Sequence, residues 1–265
     1  MNQSEGLHKV IKYVQTDFLM KVLKQNPEAE FNIRKLSKNL ICEFIDNGYK
    51  PVDDTADMDD GYEGEDAMIE KMKWTRTPRV FVLNEDRIEI TTEPHTDLWQ
   101  RTYYHFQNDN APVLQMETEE KFFSFVVKTD FSESHHRFDQ CGIVMYLDSE
   151  NWLKASVEYE NDKFQHLGSV VTNHGYSDWA TTAIPVDVKN MWYRFSRRED
   201  DYCIECSEDG VFFSQMRVCH VWEGAGKIRF GIYACSPEDS SFKAVFTDLK
   251  ITECAWKAHE GQQPD

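Results

Sequence analysis

From residue 72 onward the chain is a succession of short runs rich in β-branched and aromatic residues, each closed by a turn signal. RVFVL, RIEITT, KFFSFVVKT, CGIVMYL, WLKASVEYE, FQHLGSVVT, WYRFSRR, YCIECS, VFFSQMRV, KIRFGIYA and FKAVFTDLKI follow one another in this way. Helical spacing of apolar residues is absent here, so strands must bury one another's apolar faces. Two stacked antiparallel sheets are the simplest arrangement that does so. Asp209-Gly210, between YCIECSE and VFFSQMR, marks a hairpin because glycine tolerates positive φ. The expected fold is an all-β antiparallel sandwich over 72–254, followed by a flexible tail at 255–265. A chain of 265 residues has room for one such domain and an appendage.

The first 50 residues obey a different period. Val10, Ile11, Val14, Phe18, Leu19, Val22 and Leu23 recur at helical spacing. Asn26-Pro27 breaks the pattern, and Ile33, Leu36, Leu40, Ile41, Phe44 and Ile45 resume it as far as Asn47-Gly48. Residues 1–50 thus read as a short α-helical extension whose apolar stripes pack on each other, on the main domain or on a protein partner. Residues 51–71 contain VDDTADMDDGYEGEDAMIE. Counting back from Gly61 puts Ala56 and Met58 where a calcium loop needs its first and third oxygen ligands, so an acidic, self-repelling linker is expected instead.

The charge balance narrows the partners. With 29 Lys and Arg against 47 Asp and Glu, the chain repels phosphate backbones and anionic membrane surfaces. MNQSEGLHKV lacks the basic and apolar regions of a signal peptide, and runs such as FFSFVV are too short to cross a bilayer. A soluble, cytoplasmic protein with no nucleic-acid or membrane partner is expected. The odd number of cysteines, seven, spread through strand-like segments, suits reduced thiols. Cys203 and Cys206 lie three apart in such a segment, hence on opposite faces, and no second pair completes a zinc set. His135-His136 with Asp139 reads as a polar surface loop. Neither a metal nor a cofactor is expected.

Alternation within strands suggests where a ligand could sit. WLKASVEYE puts Trp152, Lys154, Ser156 and Glu158 on one face and Leu153, Ala155, Val157 and Tyr159 on the other, which is core. An indole, a cation and a carboxylate in line are suited to a sugar, whose C–H face stacks on the ring while its hydroxyls take hydrogen bonds. DQCGIVMYL offers Gln140, Gly142, Val144 and Tyr146, and WYRFSRR offers Trp192, Arg194 and Ser196. Side by side, these strands would form a polar-aromatic groove. DLWQR adds Asp97, Trp99 and Arg101 at spacing two, and SVVTNHGYSDWATT reads as a strand running into a corner that presents Tyr176, Ser177, Asp178 and Trp179 together. If the groove were a glycosidase, two of Glu158, Asp178, Asp139 and Asp97 would have to face each other at about 5–5.5 Å or about 6.5–9.5 Å. Glu158-Tyr-Glu160-Asn-Asp162 only approximates the E-x-D-x-E pattern of sandwich-fold glucanases.

Taken in order and spacing, WTRTPRVFVL, TEPHTDLWQRTYYHFQNDN, FDQCGIVMYLDSENWLKASVEYEN, SVVTNHGYSDWA and CSEDGVFFSQMR resemble the DUF1349 family over about 72–252. The resemblance implies a concanavalin A-like (lectin/glucanase) sandwich. It also implies that the family's recurrent polar positions fall on Asp97, Trp99, Arg101, Asp139, Gln140, Trp152, Lys154, Glu158, Ser177, Asp178, Trp179, Asp209 and Arg217. His105 stands where the family usually has glycine, and Cys141 where it has alanine. The combined expectation is a non-catalytic module holding a carbohydrate or sugar-phosphate ligand through Asp97, Trp99, Arg101, Gln140, Trp152, Lys154, Glu158, Tyr176, Ser177, Asp178, Trp179, Arg194 and Arg217, and regulating a metabolic enzyme. The alternatives are a glycoside hydrolase and a protein-interaction domain docking through the N-terminal helices.

Overall fold

A computed structural model describes residues 68–257 apart from Tyr104. The expected helical extension at 1–50, the linker as far as residue 67 and the tail from 258 lie outside the described residues.

After one helical turn, α1 (Met68–Lys71), the chain forms two seven-stranded sheets and a two-stranded ribbon. One sheet runs from edge to edge as β1 (Lys73–Arg76), β6 (Val113–Thr118), β15 (Ile228–Cys235), β8 (Gln140–Asp148), β9 (Asn151–Tyr159), β10 (Phe164–Asn173) and β11 (Tyr176–Pro185). The other runs as β14 (Ser214–His220), β13 (Asp201–Ser207), β12 (Asn190–Arg198), β7 (Phe122–Asp130), β16 (Lys243–Glu253), β3 (Arg87–Thr91) and β2 (Val80–Asn84). The ribbon pairs β4 (Leu98–Gln100) with β5 (Gln107–Asp109).

Both sheets are antiparallel, and their inner faces close on one apolar core. Cys141, Ile143 and Met145 of β8 and Leu153, Ala155 and Val157 of β9 point into it, as the alternation requires. Phe230 anchors its centre, with ring centroids 4.7 Å from Phe123 and 5.2 Å from Phe125. Cys206 packs on this core while Cys203, three residues away, points outwards, so the pair cannot act as one dithiol. The six cysteines among the described residues are free, and burial pushes the Cys203 thiol up to about 12.

Two turns depart from expectation. Asn173 and Tyr176 pair directly, leaving only His174 (φ 48°) and Gly175 (φ 77°) between β10 and β11. Two consecutive positive φ angles make the tight turn that suits the twist of a hairpin. The stretch expected to be a corner is therefore the start of a strand. At Asp209-Gly210 the turn is present, but β14 begins at Ser214 rather than Val211. The Asp209 carboxylate accepts the amides of Val211 (2.8 Å) and Phe212 (2.9 Å), which removes both from the ladder.

Candidate functional site

Strands β8 to β11 form a meander, so their register lines up residues across the outer face of the first sheet. Glu158 lies between Gln140 and His166, Ser156 between Gly142 and Gly168, Lys154 between Val144 and Val170, and Trp152 between Tyr146 and Thr172. β11 continues two of these rows with Trp179 beside Val170 and Ser177 beside Thr172. In the row through Gly142, Ser156 and Gly168, Tyr233 of β15 pairs with Gly142, and the Trp179 indole comes within 3.1 Å of where a Gly168 Cβ would lie.

The β4–β5 ribbon covers one end of this face. Leu98 and the following Ala111 and Val113 join Val144, Tyr146, Trp152, Val170 and Tyr233 in a second, smaller apolar cluster. Gln100 donates its amide to Ser177 Oγ (2.9 Å), and Arg101 reaches Gly175 O (3.0 Å) and Glu150 Oε1 (2.6 Å), which ties the ribbon to the β10–β11 turn. Beyond the ribbon a cavity of about 830 Å³ remains open, lined by Asp97, Trp99, Thr102, Tyr103, Phe106, Arg137, Phe138, Gln140, Lys154, Glu158, Glu160, His166, Val170, Trp179 and Pro237. Its size is that of small-molecule sites.

A buried polar network forms the floor. Gln140 Oε1 accepts Tyr233 OH at 2.7 Å and Lys154 Nζ at 3.0 Å, while Gln140 Nε2 donates to Phe138 O at 3.1 Å. Lys154 Nζ also meets Asp97 Oδ1 at 3.4 Å, and that oxygen accepts the Leu98 amide at 2.7 Å. Burial alone would lower the Lys154 pKa, but the Asp97 carboxylate and its neighbours hold it above the ordinary value, so the ammonium stays charged. Glu158 behaves in the opposite way. It is 5% exposed, and burial raises its pKa to about 7, with Asp97 and Glu160 adding to the rise and Lys154 opposing it. No hydrogen bond among the described residues reaches its carboxyl group.

The walls are aromatic. Trp99 and Trp179 stand edge to face with centroids 6.1 Å apart, and His166 meets Trp179 edge to face at 6.2 Å. Trp99 Nε1 is fixed by Thr102 O at 2.6 Å, while Trp179 is 42% exposed. Arg137 lies 4.5 Å from the Phe138 ring centroid and pairs with Glu160 at 3.0 Å.

Of the residues expected from sequence, the cavity brings together Asp97, Trp99, Gln140, Lys154, Glu158 and Trp179. The others lie elsewhere. Trp152 shares their face but is fully buried beneath the ribbon, its Nε1 bonded to Ser149 O, so no sugar can stack on it. Ser177 is buried as a strut between Gln100 and Thr172. The pleat sends Asp178 away from Trp179 to the opposite side, where Arg217 of β14 binds it. Tyr176 is exposed at the strand end, its ring 5.9 Å from the Arg101 guanidinium. Arg101 follows β4 with φ 53°, which breaks the alternation and turns it from the cavity. Arg194 belongs to β12 in the other sheet, paired with Glu205 at 2.5 and 2.7 Å, so the expected side-by-side groove does not form. Asp139 is fully buried and saturated by the amides of His135 and His136 and the hydroxyls of Ser236 and Ser240. That leaves Glu158 and Asp97 of the four carboxylates considered for hydrolysis.

His166, Phe138, Arg137 and Phe106 line the cavity without having been singled out from sequence. For His166 a signal existed: FQHLGSVVT follows WLKASVEYE after a short turn, and alternation then places His166 across from Glu158.

The comparisons agree with this architecture. "Regulation of enolase protein 1" of Saccharomyces cerevisiae is 28% identical over 196 residues, spanning 74% of this chain and 96% of that protein. The crystal structure of a functionally unknown protein from Saccharomyces cerevisiae superposes with a TM-score of 0.64 at 26% identity, covering 70% of this chain and 97% of the other. The GH43 BlXynB protein from Bacillus licheniformis shares the β-sandwich fold at a TM-score of 0.53 and 18% identity, over 70% of this chain but 37% of its own. Residues 74–254 match the profile of the proteins of unknown function DUF1349, and the chain belongs to that family.

Proposed function

We propose that the sandwich is a non-catalytic module that binds a carbohydrate-like ligand in the 830 Å³ cavity and thereby regulates a metabolic enzyme. One observation carries this reading: two perpendicular indoles, Trp99 and Trp179, stand over a buried polar row of Gln140, Lys154 and Glu158. Indole faces cover the C–H surface of a pyranose, and fixed amide, ammonium and carboxyl groups orient its hydroxyls. The name of the yeast relative supports the regulatory part, with an enzyme of the enolase kind as the partner to try first.

The test is a thermal-shift screen of sugars and sugar phosphates, repeated on Trp179→Ala. A ligand at 100 times its dissociation constant stabilises the native state by about 2.7 kcal/mol, which is about 5–11 °C for a domain of this size. Trp179 is partly exposed but packs on Trp99 and His166, so its removal should lower the unliganded melting temperature modestly and abolish the ligand's shift. A sugar that shifts both proteins equally would refute the site.

A second reading, glycoside hydrolysis, is favoured by Glu158, whose pKa near 7 suits a general acid. The two readings part at one measurement. The binding module returns an oligosaccharide intact after long incubation, whereas the hydrolase shortens it and Glu158→Gln stops the reaction.

A further inference from the structure

Both cations that line the cavity are already engaged. Lys154 is held by Gln140 (3.0 Å) and Asp97 (3.4 Å), and Arg137 by Glu160 (3.0 Å) and the Phe138 ring. The Glu158 carboxyl group is the reverse case. It is 5% exposed, lines the cavity and receives no hydrogen bond among the described residues. His166, its neighbour across the strand pair, has a buried Nδ1 that also lacks a hydrogen-bond partner and stands 4.0 Å from Glu160 Oε2. The unsatisfied acceptor of this site is therefore Glu158, and once ionised it has no cation bonded to it, because Lys154 and Arg137 are held by other groups.

That asymmetry discriminates among sugars. A phosphate entering the cavity would meet the carboxylates of Asp97, Glu158 and Glu160, and would find both cations occupied. An ammonium group would find an acceptor in Glu158 and, around it, indole faces that attract cations. Resting on the carbohydrate reading above, we propose that the ligand is an amino sugar whose protonated amine binds the Glu158 carboxylate between Gln140 and His166. Burial makes an isolated charge at Glu158 unfavourable, and a ligand ammonium would supply the missing partner. The exclusion of phosphate follows from the same arrangement.

Isothermal titration calorimetry at pH 7 on the full chain tests this with four probes: the glucosamine tetrasaccharide of chitosan, its fully N-acetylated counterpart, cellotetraose and glucose 6-phosphate. The glucosamine tetramer should bind about tenfold or more tighter than the two neutral tetrasaccharides, as expected for a charge-assisted hydrogen bond in place of a neutral one. Glu158→Gln preserves the shape of the side chain and should bring the three tetrasaccharides to within about twofold of one another. Neutral tetrasaccharides binding as tightly as the glucosamine tetramer, or glucose 6-phosphate binding more tightly than it, would overturn the amine assignment while leaving the carbohydrate reading in place. Binding of none of the four would overturn both. The preference is measured first in the unaltered protein, so the inference is decided even if the variant is unstable.

Discussion

Glu158→Gln should make the protein more stable, by an amount that depends on pH. The Glu158 pKa rises from an ordinary 4.5 to about 7 in the folded state. In the unfolded chain this carboxyl ionises above pH 4.5, whereas in the folded chain it keeps its proton until about pH 7. Between these values the unfolded state binds fewer protons, so stability falls as pH rises; it is full below 4.5, and the loss is complete once the folded group has titrated. Each pH unit in that interval is worth about 1.4 kcal/mol, which makes the loss roughly 3 kcal/mol. Glutamine mimics the neutral carboxyl at every pH. The variant should match the parent at pH 4.5 and exceed it by roughly 3 kcal/mol at pH 8, or about 6–12 °C in melting temperature. Thermal denaturation at both pH values, with urea melts to check that the slope is unchanged, measures the difference. An equal difference at both pH values, or a variant less stable than the parent at pH 8, would show that Glu158 is not a buried, unpaired acid. The expected result means that the fold tolerates a destabilising carboxyl group where its cavity opens, as binding sites commonly do.

Three further outcomes follow from the geometry. Gly142→Ala should cost about 3 kcal/mol or more, because the added Cβ would lie 1.8 Å from Ala155 O in the adjacent strand; expression and melting temperature will show it. His105→Gly should raise stability by about 0.5–1 kcal/mol in a urea melt, since His105 holds φ 56°, a conformation that costs a side chain more than it costs glycine. Asp139→Asn should lower stability by about 3 kcal/mol while leaving ligand affinity intact, because Asp139 supplies acceptors to two amides and two hydroxyls outside the cavity; a loss of affinity at unchanged stability in calorimetry would return Asp139 to the site.

The sequence was most informative where structure is periodic. Alternation alone places Lys154 and Glu158 on one face of β9, as the register does. Trp152 sits on the same face, yet its surroundings depend on a ribbon contributed from about fifty positions earlier, and alternation carries no information about such cover. The strands of that ribbon, LWQ and QND, are too short for a period to register. Arg194 lies away from the cavity for a related reason: composition does not say which sheet a strand joins, and β12 crosses to the one opposite β9. A wide corner at His174-Gly175 would present Asp178 and Trp179 as one group; the two-residue turn restores the pleat and separates them.

The β4–β5 ribbon that buries Trp152 divides the cavity into two inheritances. The floor, from Gln140 to Trp179, is part of a sheet whose reverse side is the core, so most changes there are constrained by folding. The roof, from Asp97 to Phe106, is fixed to that sheet through Asp97, Leu98, Gln100 and Arg101. With those four anchors kept, exposed roof positions such as Thr102 and Tyr103 can be exchanged without disturbing the sandwich. On the binding reading proposed above, a graft of this ribbon from another member of the family would transfer that member's selectivity in a single segment while leaving the scaffold unchanged.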